Sequence, residues 1–363
     1  MELLKRLYKI HSKSGREKNI KKFIKRWVLE NVPEASIYYD KIGNVYITKG
    51  ESATYPVVVA HLDQVQNNHS RDFQALEVGG IIIGYSEKSR SQQGLGADDK
   101  NGIWVALKCL LSFDVLKVAF FVSEEIGCVG SEAADMTFFS DARFVLQCDR
   151  RGAHDLITVA GWSKLCNGAF VEAIKPQLFG YKEEQGMLTD VLTLKENGLG
   201  VCCVNISCGY YEPHTDYEHT NIYDLMNCLS FVEHIISTCT DVYPHQHEGY
   251  YSGYYDKYYD DYYENVNIET YKGKLPAIQD TPSTTSTSFR EIYYDVIKEI
   301  LESYPTASFD EVFWYLKESH KDTYFWEDWT RQLYYDVKLD IVSKHQREDS
   351  QSEEDKALML SDI

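Results

Sequence analysis

The chain has 363 residues, 44% of them hydrophobic, and a formal net charge of -19. This length and apolar content allow one large α/β domain with its own core and a smaller second unit. The excess of acidic residues argues against binding to nucleic acids or to anionic membrane surfaces, since both require clustered Lys and Arg.

Membrane insertion and export are also not expected. No stretch approaches the roughly 18 apolar residues of a spanning helix, and the N-terminus lacks the apolar core of a signal peptide. Nine cysteines, an odd number, lie between Cys109 and Cys239, mostly inside apolar runs. Without an export signal this pattern favours reduced, buried thiols, and we expect a cytoplasmic protein. No CxxC spacing occurs, which argues against a thiolate metal site.

Strands and helices alternate along the first two thirds of the chain. Two helical pieces over residues 1–30 precede a hairpin whose strands are 35–39 and 44–48. The β-branched run 57–60 suits a parallel strand that is covered on both faces. Further strands are predicted at 80–84, 117–122, 143–148, 154–160 and 200–206, and helices at 103–113, 131–138, 164–174 and 221–238. The expected fold class is α/β, with a mixed, largely parallel sheet and helices on both faces, over residues 1–243.

The composition changes near Pro244. Residues 244–287 are rich in Tyr and acidic residues and then in Ser, Thr and Pro, which is typical of a linker. Residues 288–345 predict a small helical module, with capping boxes that begin at Ser288 and Ser308. Its apolar faces carry Ile292, Val296, Ile300, Val312, Phe313, Leu316, Trp326, Trp329, Leu333 and Val337. We expect a polar tail over 346–363, and the module is a candidate contact surface for a protein partner.

The chemistry is expected at the ends of the strands. Glu124 and Glu125 follow the apolar run 118–122. Two like charges are costly to desolvate side by side, so we expect a cation there. One carboxylate can bind a metal while the other faces a water whose pKa the metal lowers to about 7. The alternative is a Glu pair on a solvated loop.

Other polar residues at strand ends complete a candidate metal site. His61 ends the run 57–60, and Asp63 points to the same side and can hold the second imidazole nitrogen. Asp98 lies in a Gly-flanked loop before a helix, where it can bridge two metals or simply cap the helix.

Two further strand ends add an acid and an imidazole. Asp149 is either a ligand or the partner of the neighbouring Arg150 in a salt bridge. His214 is favoured over its rival His219. The combined His and carboxylate set, without thiolates, fits two zinc ions, with manganese or cobalt as alternatives. The sequence therefore predicts a metal-assisted hydrolase.

The motifs as a set resemble the co-catalytic di-zinc exopeptidases, which include peptidase T, the glutamate carboxypeptidases and the two-zinc aminopeptidases. The resemblance spans about residues 1–240. The matching pieces are Ala60-His61-Leu62-Asp63, Gly96-Ala97-Asp98-Asp99-Lys100-Asn101-Gly102, Ser123-Glu124-Glu125-Ile126-Gly127-Cys128-Val129-Gly130, Gln147-Cys148-Asp149-Arg150 and Pro213-His214-Thr215-x-x-Glu218.

The resemblance implies a role for each matching residue. His61 and Asp149 would bind one zinc, Glu125 and His214 the other, and Asp98 would bridge both. Asp63 would orient His61. Glu124 would be the general base, which first activates the water between the metals and then protonates the leaving amine. The implied substrates are short peptides.

The chain also departs from this group. Neither the interval between His61 and Asp98 nor that between Asp149 and His214 is long enough for the inserted domain that many relatives carry. Substrate side chain, amino- or carboxy-terminal specificity and oligomeric state therefore stay open. Two alternatives remain, an N-acyl amino acid amidohydrolase and a non-catalytic binding protein on the same fold.

Overall fold

A computed structural model of the protein describes residues 1–67, 69–161, 163–247 and 289–303, together with the single positions 312, 316, 333 and 337. The chain divides into two compact units, Met1–Gly273 and Lys274–Ile363, and each is described by itself. Within the described residues, no helix is both long enough and apolar enough to span a lipid bilayer.

The first unit alternates strands and helices. Its strands are β1 Ser36–Tyr39, β2 Val45–Lys49, β3 Tyr55–His61, β4 Phe73–Val78, β5 Ile81–Ser86, β6 Ser91–Gln93, β7 Leu116–Phe121, β8 Ala142–Arg150, β9 Asp155–Ala160, β10 Ser163–Lys164, β11 Lys182–Gly186, β12 Cys203–Ser207, β13 Tyr210–Tyr211 and β14 His219–Asn221. Its α-helices are α1 Glu2–Tyr8, α2 Lys18–Asn31, α3 Ala97–Ser112, α4 Val129–Glu132, α5 Gly168–Ile174, α6 Asp190–Glu196 and α7 Ile222–Thr238.

A mixed sheet of nine strands forms the centre of this unit. Its order is β1-β2-β7-β3-β8-β12-β9-β10, and β11 pairs with β9. The four central strands, β7, β3, β8 and β12, run parallel to one another, whereas β1, β2 and β10 are antiparallel to their neighbours. The carboxyl ends of the central strands therefore meet at one edge of the sheet, where ligand sites of open α/β sheets lie.

Strand β3 shows why helices cover both faces. All seven of its residues are buried. Val58 and Ala60 pack into one core together with side chains of α1, α2, α3 and α7, whereas Val57 and Val59 pack into a second core together with α6. Successive side chains of a strand point to opposite faces, so the β-branched run is buried on both. The predicted α/β fold class is confirmed.

A second, antiparallel sheet lies next to the site. Its order is β13-β14-β5-β4, and β6 pairs with β5. The interval between His61 and Asp98 thus supplies three strands of this sheet. The loop between β13 and β14 carries His214. The second sheet therefore positions one of the predicted ligands.

Two predicted helices differ from the structure. The segment predicted as one helix over 131–138 holds only the short α4 and a 3₁₀ turn, Met136–Phe139, which the side chain of Asp135 caps. The helix predicted over 164–174 begins only at Gly168, because Asn167 caps it there and Lys164 belongs to β10. A capping side chain thus sets the start of the 3₁₀ turn and of α5.

The described part of the second unit contains the helix α8, Phe289–Ser303. Its buried stripe is Tyr293, Ile297 and Leu301, one helical turn apart. Val296 and Ile300, which the sequence placed on the apolar face, are only half-buried. Val312, Leu316, Leu333 and Val337 are helical and buried, as predicted. Ser288, Ser308, Phe313, Trp326, Trp329 and the predicted tail lie outside the described residues, and the domain boundaries stay a prediction.

Candidate metal centre

His61 lies at the carboxyl end of β3 and is fully buried. Its Nε2 is 3.0 Å from Oδ1 of Asp98 and 3.5 Å from Oδ1 of Asp149. Asp98 lies just before the regular turns of α3, and Asp149 lies near the end of β8. One imidazole nitrogen and two carboxylate oxygens thus converge from three separate elements and lie within 4.8 Å of one another.

A second triad shares Asp98 with the first. Nε2 of His214 lies 3.3 Å from Oδ2 of Asp98 and 3.2 Å from Oε2 of Glu125. Asp98 therefore directs its two oxygens to two different histidines, and it belongs to both triads. This is the arrangement of a carboxylate that bridges two cations.

The alternative role of Asp98 as a helix cap does not match the structure. The backbone of α3 is non-helical at Asp98 and Asp99. It is Asp99 whose Oδ1 accepts a hydrogen bond from the amide of Gly102 at 2.9 Å, as a capping residue does. Asp98 is left to face the histidines.

The same comparison separates His214 from His219. The ring of His219 stacks on Tyr211, with centroids 5.4 Å apart, and its Nδ1 is 3.1 Å from the carbonyl oxygen of Tyr217. His219 belongs to neither triad. The structure thus brings His214 to the other predicted ligands.

Glu124 lies beside the triads and belongs to neither. Its Oε2 is 3.9 Å from Nε2 of His61, and the thiol of Cys128 contacts its Oε1 at 3.5 Å. The side chain is 13% exposed. A carboxylate at this position can take a proton from a group held between the triads.

The electrostatics of the cluster favour added positive charge. Burial, and next the carboxylate of Asp98, raise the pKa of Asp149 well above its usual range. Burial also raises the pKa of Glu124. Burial would lower the pKa of His214, but Glu125 and Asp98 outweigh it and raise that pKa to about 12. Unlike charges a few ångströms apart stabilise each other strongly in a desolvated site, so cations would be held here.

The donor set fits two zinc ions. Oε1 of Glu125 is buried without a hydrogen-bond partner. The triads offer imidazole nitrogens and carboxylate oxygens, which suit zinc, and none of the nine cysteines, all buried free thiols, belongs to either triad. In such a centre His61 and Asp149 would hold one ion, Glu125 and His214 the other, and Asp98 both.

Asp63 has a wider set of contacts than the sequence suggested. Its Oδ1 is 3.4 Å from Nδ1 of His61, which is long for a hydrogen bond. The same carboxylate accepts the amides of Glu124 at 2.9 Å and Glu125 at 3.2 Å, and the hydroxyl of Ser14 at 2.7 Å. Burial would raise its pKa, but His61 and these donors lower it. Asp63 therefore fixes the loop of the Glu pair as well as facing His61.

Several residues that support the ligands were not predicted. Oδ2 of Asp99 accepts the backbone amide of His61 at 3.1 Å. Glu218, fully buried, accepts the amides of Gly96 at 2.5 Å and Asp98 at 3.1 Å. Asp99 and Glu218 both stand in the motifs quoted above, but the sequence does not show which backbone amides they accept.

Asp149 has its own group of supporting side chains. The amide of Gln147 donates to Oδ2 at 3.0 Å, and the hydroxyl of Tyr210 contacts Oδ1 at 3.3 Å. Asn205 accepts the backbone amide of Asp149 at 2.9 Å and donates to its carbonyl oxygen at 3.0 Å. Gln147 and Asn205 are partners across β8 and β12, a register that the sequence does not show.

Comparison with known proteins gave structural matches only. No protein-family model and no curated protein matches the sequence. The aminopeptidase PepT of Bacillus cereus ATCC 10987 superimposes with a TM-score of 0.56 at 14% identity, over 66% of this chain and 98% of that one. A tripeptidase of Staphylococcus aureus gives a TM-score of 0.51 at 15% identity, over 64% of this chain and 95% of that one. The chain therefore has the fold of these two peptidases, as the resemblance of its motifs to peptidase T led us to expect.

Proposed function

We propose that this protein is a metallo-exopeptidase that hydrolyses short peptides. The observation that supports the proposal best is the pair of triads, His61-Asp98-Asp149 and Asp98-Glu125-His214, which share one carboxylate. The fold of an aminopeptidase and of a tripeptidase agrees with it. Two bound zinc ions would lower the pKa of an attacking water and polarise the scissile carbonyl.

Side chains of the protein would carry out the proton transfers and hold the ligands in place. Glu124 would take the proton of the attacking water and return it to the leaving amine, because its carboxylate lies 3.9 Å from the ligand atom of His61 without joining a triad. Asp63 and Glu218 would hold the backbone of the ligand loops in place.

The proposed compartment is the cytoplasm. All nine cysteines are buried and none forms a disulfide. Reduced thiols are typical of the cytosol. The helical module remains a candidate surface for a protein partner.

A metal and activity assay tests the proposal. Wild-type protein should bind about two equivalents of zinc and cleave tri-alanine, with the loss of activity on chelation reversed by zinc. Glu124→Gln should keep its zinc and lose at least about 100-fold in kcat, the contribution of a positioned general base. Glu132→Gln, an exposed Glu nearby, is the matched control and should behave as wild type.

The substrate panel separates the alternatives. Peptides with a free or acetylated amino terminus, peptides with a free or amidated carboxyl terminus, and N-acetyl amino acids are compared. Cleavage of N-acetyl amino acids alone would favour the amidohydrolase. A zinc-loaded wild type that cleaves none of these substrates would favour a binding protein. Full activity in Glu124→Gln would remove Glu124 as the base.

A further inference from the structure

The loop that carries Glu124 and Glu125 is held by side chains from three other segments. It follows β7, and its backbone at Ser123 is left-handed, with φ of 55°. Four consecutive amides, of residues 122–125, donate to side chains and not to a neighbouring strand. Their acceptors, in order, are Oδ1 of Asn44 at 3.0 Å, Oε1 of Glu17 at 3.2 Å, and Oδ1 and Oδ2 of Asp63 at 2.9 and 3.2 Å.

Glu17 is the unexpected member of this set. It precedes α2, and its side chain does not cap that helix. The residue is only 4% exposed. Its Oε1 accepts three hydrogen bonds, from the amide of Gly15 at 2.8 Å, the amide of Ser123 at 3.2 Å and the hydroxyl of Ser123 at 3.3 Å. A buried carboxylate is costly to desolvate unless it is satisfied, so these bonds explain why it lies there.

The same N-terminal turn reaches the loop by a second route. The hydroxyl of Ser14 donates to Oδ2 of Asp63 at 2.7 Å, and Asp63 accepts the amides of Glu124 and Glu125. Residues 14–17 thus contact the loop directly through Glu17 and indirectly through Asp63. The loop keeps its left-handed turn because these acceptors lie where its amides point.

We propose that Glu17 is a positioning residue that fixes Glu124 and Glu125 for the reaction. The inference rests on the proposed function for its catalytic consequence, but its structural part stands on the hydrogen bonds alone. Glu17 contacts neither triad. All three bonds end on one oxygen, so the carbonyl oxygen of a Gln can replace it, whereas Ala cannot, and Asp is one methylene too short to reach.

Three variants of the full chain test this: Glu17→Ala, Glu17→Asp and Glu17→Gln. The control is Glu30→Ala, an exposed Glu on α2. Hydrogen–deuterium exchange is measured in the metal-free protein over peptides that cover residues 121–128. The loss of hydrogen bonds worth a few RT should speed exchange of this segment about tenfold in the Ala and Asp variants. The Gln variant and the control should exchange as wild type does.

Kinetics on tri-alanine give the second readout. Because Glu17 does not touch substrate, kcat should fall about tenfold in the Ala and Asp variants while KM changes little, and Gln should restore kcat. If Glu17→Ala does not fold, the Asp and Gln variants decide the question. Wild-type exchange and wild-type kcat in Glu17→Asp would overturn the inference. A wild-type protein without peptidase activity would overturn the proposed function instead, and the exchange comparison would still test the positioning role.

Discussion

Zinc should stabilise the first unit against unfolding, and the size of the effect should depend on how many triads remain. A ligand present at about 1,000 times its Kd stabilises the folded state by about 4 kcal/mol per site. For a unit of this size, each kcal/mol raises Tm by roughly 2–4 °C. Each occupied triad should therefore add about 8–16 °C to Tm, and two should add more than one.

Because both triads contain the carboxylate of Asp98, the structure predicts how much of the zinc-dependent rise in Tm each variant keeps. His214→Ala removes one triad and leaves His61, Asp98 and Asp149, so it should keep part of the shift. Asp98→Asn weakens both triads and should keep least. Scanning calorimetry of the three proteins, each with excess chelator and with zinc, measures the shift. A control with calcium checks the preference for imidazole-containing sites.

Three results would refute this reasoning. If zinc did not shift the Tm of the wild type, the acidic cluster would not be a metal centre. If His214→Ala responded like Asp98→Asn, the two triads would not be separable sites with Asp98 in common. A zinc shift that was equal in all three proteins would place the metal elsewhere in the chain.

Two further predictions concern support of the site and pH. Gln147→Leu removes the amide that donates to Asp149 and should weaken zinc binding about 10–100-fold. Competition with a chelating dye measures the affinity. An unchanged affinity would show that Tyr210 and Asn205 are enough to hold Asp149 in place. Burial, and next the charge of Lys100, lower the pKa of His69 to about 4. The unfolded chain should then take up a proton near pH 6.5 that the folded chain does not, so stability should fall as pH drops from about 6.5 towards 4. His69→Phe should lose less Tm over that range than wild type, and equal losses would contradict this assignment.

The polar residues at strand ends were the most predictable part of the site. Glu124 and Glu125 stand out because two acids directly after an apolar run are costly without a partner. His61, Asp98, Asp149 and His214 join them because they follow other predicted strands or lie in the loops between elements. The parallel order of the central strands then implied a common edge. Both the charge of single residues and the burial of a strand can be recognised from short segments of the sequence, which is why these site residues could be predicted.

The second sheet and the supporting residues could not be predicted in this way. Strands β6, β13 and β14 have only two or three residues each, so their sequences carry almost no periodicity, and they exist because they pair with β5 or with each other. The roles of Glu17 and Glu218 depend on backbone amides that lie more than 100 positions away in the chain.

The sequence alone thus determined the α/β class, the buried central strands and the types of side chain at their ends, because burial and charge are properties of short segments. Only the tertiary structure decided that Asp98 faces two histidines, that Asp99 caps α3 and that Glu17 holds Ser123. Those outcomes depend on the register of strands and on the approach of distant loops, which are set when the whole chain packs.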